Sequence, residues 1–81
     1  MKNITAVVAE RLLKYMGDRE LTQYKLAQLS GVPFTTLKSI MQRKTKDIKL
    51  KTIIMLCAGL NISPSDFFKD DSFLPADMDL E

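Results

Sequence analysis

Apolar residues recur along this chain at the three- and four-residue spacing of helices, and no segment reads convincingly as a strand. Five helices are predicted. The first spans Ile4 to Tyr15, with Asn3 as its N-cap, Val8, Leu12 and Tyr15 as its buried stripe, and Gly17 as its stop. The second spans Gln23 to Ser30, with Leu26 and Leu29 on one face and small Ala27 beside them. Thr22 is its N-cap, but Lys25 stands where a capping box needs Glu or Gln. The third spans Phe34 to Gln42, placing Leu37, Ile40 and Met41 at i, i+3, i+4 behind Pro33, a residue suited to a helix start. A basic connector, residues 43–51, leads to a fourth helix from Lys51 to Leu60 that buries Ile53, Leu56, Cys57 and Leu60. Ser63, Pro64 and Asp66 give the clearest start signal, that of a fifth helix with Phe67 and Phe68 in its body.

The second and third helices are joined at Gly31, which can take the left-handed backbone that ends one helix and lets the next begin. Two short helices on such a joint form a helix-turn-helix, a unit that lays its second helix in the major groove of DNA.

Charge reinforces this picture. The net charge of +2 conceals an asymmetry. Residues 1–69 hold all twelve Lys and Arg against five acids, whereas residues 70–81 hold five acids and no base. A basic face attracts polyanions. An acidic tail either competes with them or is simply a solvated run of charge. Length sets the scale: 81 residues make one domain, with a stability of roughly 3 to 5 kcal/mol. A 46% apolar and 27% charged composition is that of a globular chain.

The order and spacing of several short patterns identify a family. They are Leu21-Thr22-Gln23, Leu26-Ala27, Ser30-Gly31-Val32, Leu37 with Ile40, and Leu60-Asn61-Ile62-Ser63 followed by Asp66-Phe67-Phe68. Over about residues 5–69 the chain resembles the Cro/cI-type helix-turn-helix family of bacterial and phage repressors, also called the xenobiotic-response-element family. The resemblance implies an all-α, five-helix lambda-repressor-like domain. It also implies sequence-specific binding of double-stranded DNA as a homodimer.

The departures are informative. Pro33 replaces the Ser or Thr that caps the third helix in relatives. That helix opens Phe-Thr-Thr rather than with Gln or Arg, which makes its base contacts more apolar. Many relatives pair an Arg late in the first helix with a Glu late in the third. The matching positions here are Met16 and Met41, so both charges are missing together and the two thioethers are expected to pack. Replacing a buried ion pair by apolar groups is often neutral or stabilising.

At about 100° per residue, Thr35, Ser39 and Gln42 point away from the Leu37–Ile40 side, with Thr36 and Lys38 on the flanks. The candidate base readers are Phe34, Thr35, Thr36, Lys38 and Ser39. Lysine reads guanine, hydroxyls read several bases, and apolar groups meet the thymine methyl. For Phe34, packing under the turn weighs equally with base contact. Gln23, at the amide end of the second helix, and Gln42, Arg43, Lys44, Thr45 and Lys46 are candidates for phosphate contact, which positions a protein without reading sequence. Phe68, Phe73 and Leu74 are a weaker candidate dimer patch, drawn from where relatives dimerise.

Other classes fit poorly. The chain has no histidine, and its one cysteine, Cys57, lies on the apolar stripe of the fourth helix. That excludes an internal disulfide, the usual Cys–His nucleophile pair and ordinary metal-ligand spacing, so no enzyme, metal or cofactor is expected. The longest apolar run, Ile53 to Leu60, falls far short of the ~20 residues that span a bilayer. The N-terminus lacks a signal-peptide layout, so a cytoplasmic location is expected. Two alternatives remain. One is a DNA-binding antitoxin that holds a toxin through the tail from Phe73 to Glu81. The other is a protein-interaction module that has lost DNA binding, against which six bases and one acid between Lys38 and Lys51 argue.

Overall fold

The computed structural model describes residues 2–80. Five helices follow in order: α1 (Ile4–Arg19), α2 (Gln23–Ser30), α3 (Phe34–Met41), α4 (Leu50–Leu60) and α5 (Pro64–Phe68). Among the described residues no helix is long and apolar enough to cross a membrane.

Local chemistry sets the helix ends. The Asn3 side chain accepts the Ala6 N–H, Thr22 accepts that of Lys25, and Ser63 accepts that of Asp66. Gly31 closes α2 at φ +76°. Pro33 precedes α3 in extended backbone, and no side chain caps that helix.

One core joins the layers. It gathers Val8, Leu12 and Met16 from α1, Leu26 and Ala27 from α2, and Leu37, Ile40 and Met41 from α3. Phe67 and the Ile53–Leu56–Cys57–Leu60 stripe of α4 complete it. Burial pushes the Cys57 pKa up, so its thiol stays protonated and packs as a small apolar group.

Four expectations need correction. Gly17 does not stop the first helix: α1 runs on to Arg19 and ends at Glu20, in left-handed backbone at φ 54°. A single glycine weakens a helix without breaking it, and here the last turn is anchored by Arg19, which donates to the Leu60 carbonyl at 3.0 Å. Leu29 is half exposed, whereas Leu26 and Ala27 are buried; α2 packs on its Leu26–Ala27 side, and at about 100° per residue Leu29 falls on the opposite flank of Leu26 from Ala27. A minimal strand pair does exist, β1 (Lys2–Asn3) running parallel to β2 (Met78–Asp79).

The acidic segment is also not merely solvated. Two 3-10 turns, Asp71–Phe73 and Pro75–Asp77, lead into β2, where Met78 is buried. Glu81 lies outside the described residues. The Asp70 carboxyl is held below the ordinary carboxylate range, chiefly by hydrogen bonds from Ser72, whose N–H lies 2.8 Å away. This cap is therefore present above the ordinary carboxylate range and is lost as pH falls below it.

Arg11 is charged yet buried. It is 7% exposed and lies between α1 and α5. Its guanidinium donates to the backbone carbonyls of Phe67 at 2.8 Å and Asp66 at 2.7 Å, packs over the Tyr15 ring and faces Asp70 at 3.6 Å. A cation suits the carbonyl end of α5.

The backbones of α2 and α4 approach closely at Gly59. A Cβ built on Gly59 would lie 2.8–2.9 Å from the backbone of Ser30, whereas one on Gly17 would meet nothing within 4 Å. Opposite outcomes follow in thermal denaturation. Gly59→Ala should cost about 1–3 kcal/mol by overpacking, and Gly17→Ala should gain up to ~1 kcal/mol of helix propensity. Met16 and Met41 are both buried in the one core. Met16→Arg should then lose about 3 kcal/mol, the cost of an unpaired buried charge. Met16→Arg with Met41→Glu should recover part of that loss in a double-mutant cycle, and an unchanged Tm for the single variant would rule out the contact.

Candidate nucleic-acid interface

The core side of α3 is fixed by Leu37, Ile40 and Met41, all buried. The remaining positions therefore face outward. Phe34, Thr35, Thr36 and Lys38 are exposed, and Ser39 is half buried. Gln23 lies in the first turn of α2 and is half buried. Phe34 divides its surface: it is 41% exposed, and one side packs on Tyr24 of α2 with ring centroids 5.8 Å apart.

The connector after α3 is a defined loop. Gln42 caps the helix, and Arg43 adopts left-handed backbone at φ 58°. The Arg43 N–H then reaches the Ile40 carbonyl and the Lys44 N–H that of Ser39, both at 2.9 Å, which satisfies the end of α3. The Thr45 hydroxyl donates to the Asp47 carbonyl at 2.8 Å, and Ile48 packs against the core. Gln42, Arg43, Lys44 and Lys46 are exposed, and Thr45 is half buried. A groove of about 520 Å³ runs between α3, this loop and α4, its polar lining including Thr36, Ser39, Lys44, Thr45 and Thr52. The Thr36–Ser39 edge of α3 and the basic loop thus border one groove.

A family model described as the Cro/C1-type HTH DNA-binding domain matches residues 11–71. The chain belongs to that family. The control protein C.SmaI of Serratia marcescens is 34% identical to it over 61 residues, covering 75% of this chain and 71% of that protein. No solved structure matches the chain. It is a DNA-binding transcriptional regulator and not an enzyme.

Within this Cro/C1-type domain, the third candidate group separates from the other two. Phe68 and Phe73 are half buried in an aromatic cluster with Phe67, their own rings 4.9 Å apart. Leu74 remains half exposed.

Sequence reasoning missed Thr5. It is fully buried on α1, and its hydroxyl faces the carbonyls of Thr45 at 2.8 Å and Lys46 at 3.3 Å. That contact ties the middle of the basic loop to a helix forty positions earlier. A threonine on an otherwise apolar helix face was the available signal. Thr5→Val keeps the shape and removes the donor, leaving carbonyls unsatisfied at a cost of about 1–3 kcal/mol. We expect faster amide exchange across residues 43–47 and weaker binding to nonspecific duplex DNA. Unchanged exchange there would show that the loop holds without Thr5.

Proposed function

We propose that this regulator acts as a homodimer on a two-fold symmetric operator, with α3 in the major groove, and that it represses transcription. One observation carries the reading: the exposed residues of α3 run directly into the basic loop, so base edges and phosphates can be met from one continuous surface. Thr35, Thr36, Lys38 and Ser39 are then the polar base readers. Gln23, Gln42, Arg43, Lys44, Thr45 and Lys46 take the flanking phosphates. A single module of this size offers limited contact area, so two copies on half-sites ~34 Å apart are the natural arrangement. Of the dimer candidates, Leu74 has the most free surface, because Phe68 and Phe73 already pack on each other. The relative's designation as a control protein favours a regulatory role. Such a protein works where bacterial DNA is, in the cytoplasm.

The decisive experiment is selection of bound sequences from random and genomic DNA, repeated with Lys38→Ala/Ser39→Ala. The expected result is a palindromic motif that weakens or changes in the double variant. Arg43→Gly provides the complementary test, since glycine accepts the left-handed backbone and the cation is lost with no more than its 3.3 Å hydrogen bond to the Met41 carbonyl. It should weaken all sequences alike and lower the salt slope by about 1. A motif without symmetry would refute the dimer reading, and an unaltered motif in the double variant would move base reading away from Lys38 and Ser39.

A further inference from the structure

The Tyr24–Phe34 pair is an exposed aromatic cluster with no role in the core. Tyr24 is 60% exposed and Phe34 41% exposed, yet the rings meet at 5.8 Å with their planes tilted by 59°. Neither residue belongs to the hydrophobic core or to the groups packed against it. The Tyr24 hydroxyl has no hydrogen bond among the described residues. Phe34 is the first residue of α3, so it sits at the tip of the helix assigned to the groove. Tyr24 is the second residue of α2 and supports that tip from the side. An unrestrained phenyl at a helix start would sample several rotamers, and a ring against one of its faces narrows that choice.

We propose that Tyr24 is a positioning residue for specificity. It holds Phe34 so that the phenyl ring reads the C5-methyl of a thymine in the half-site. The major groove displays one such methyl for each A·T pair and none for G·C, so an apolar ring placed there discriminates without a hydrogen bond. This rests on the reading that α3 enters the major groove. Tyr24 acts through Phe34, leaving its hydroxyl free to donate to a neighbouring phosphate.

Deoxyuridine differs from thymidine only by that methyl, which makes it the direct probe. Each thymine of the selected operator is replaced in turn by deoxyuridine, and binding is measured for the full chain. Burial of one methyl corresponds to about fourfold in affinity. The wild-type chain should lose about that much at one thymine per half-site. Phe34→Ala should bind the two probes equally. Tyr24→Ala should lose most of the ratio while keeping its salt slope, and Tyr24→Phe should retain the ratio. Thr35→Ser and Thr36→Ser, which delete the other methyls of the helix tip, should leave it unchanged. Operator binding with no deoxyuridine effect at any position overturns the proposal but leaves the groove reading intact. A deoxyuridine effect that survives Phe34→Ala, or that vanishes with Thr35→Ser or Thr36→Ser, assigns the methyl elsewhere and also overturns it. Failure to bind any selected sequence overturns the groove reading and the proposal with it.

Discussion

The recognition unit depends on how closely α2 and α4 approach at Gly59. Helix axes normally stand 8–10 Å apart because side chains hold them off. At Gly59 nothing does, and the backbone of Ser30 occupies the space that a Cβ would take. Ser30 is also the last residue of α2, and its hydroxyl accepts the Val32 N–H at 3.2 Å while approaching the Ala27 carbonyl at 3.4 Å. One residue thus meets α4 from behind and shapes the turn ahead of it. The direction of α3 follows from that turn, because Gly31, Val32 and Pro33 are the whole connection between the two helices. A displacement at Gly59 would therefore be felt at the turn, while Leu37, Ile40 and Met41 fix which face of α3 carries Thr35 and Lys38.

Arg11 is a second constraint of a different kind. A buried guanidinium is costly unless its donors are satisfied. Here the strongest partners are backbone carbonyls in the last turn of α5, so the charge links α1 to α5 independently of which side chains α5 carries. Asp70 adds a partly exposed counter-charge, and Phe73 follows within the same turn to reach the Phe67–Phe68 cluster. The acidic segment is therefore anchored by its first residues before β2 pairs with β1.

These two constraints explain what could be read from the sequence and what could not. The α4 stripe, the caps Asn3, Thr22 and Ser63, and the Gly31 joint were legible because each follows from the side chains of one local segment. The α3 face was legible for the same reason: once Leu37 and Ile40 point inward, the remaining azimuths are fixed. Arg11, Thr5 and Gly59 were not legible, since their partners are backbone atoms from distant parts of the chain that no residue pattern announces. Leu29 and the run-on past Gly17 show the converse error, in which a local preference is overruled by packing. The aromatic pair at Tyr24 and Phe34 was half legible. That Phe34 could pack under the turn was apparent, but the neighbour on α2 that receives it was not.

The loop after α3 shows a tension between stability and binding at a single residue. Left-handed backbone costs a non-glycine residue roughly 1–2 kcal/mol. Three such residues occur among those described, and they are not equivalent. Asn61 belongs to a type that tolerates the conformation, and Glu20 closes α1. Arg43 closes α3 at the point where the chain turns from that helix into the basic loop, and there glycine would fold more easily. A cation at that position carries a folding penalty that glycine would avoid. Its side chain leans back only to the Met41 carbonyl at 3.3 Å, a weak contact next to solvent. Stability alone does not account for an arginine there; the phosphate contact proposed for it would.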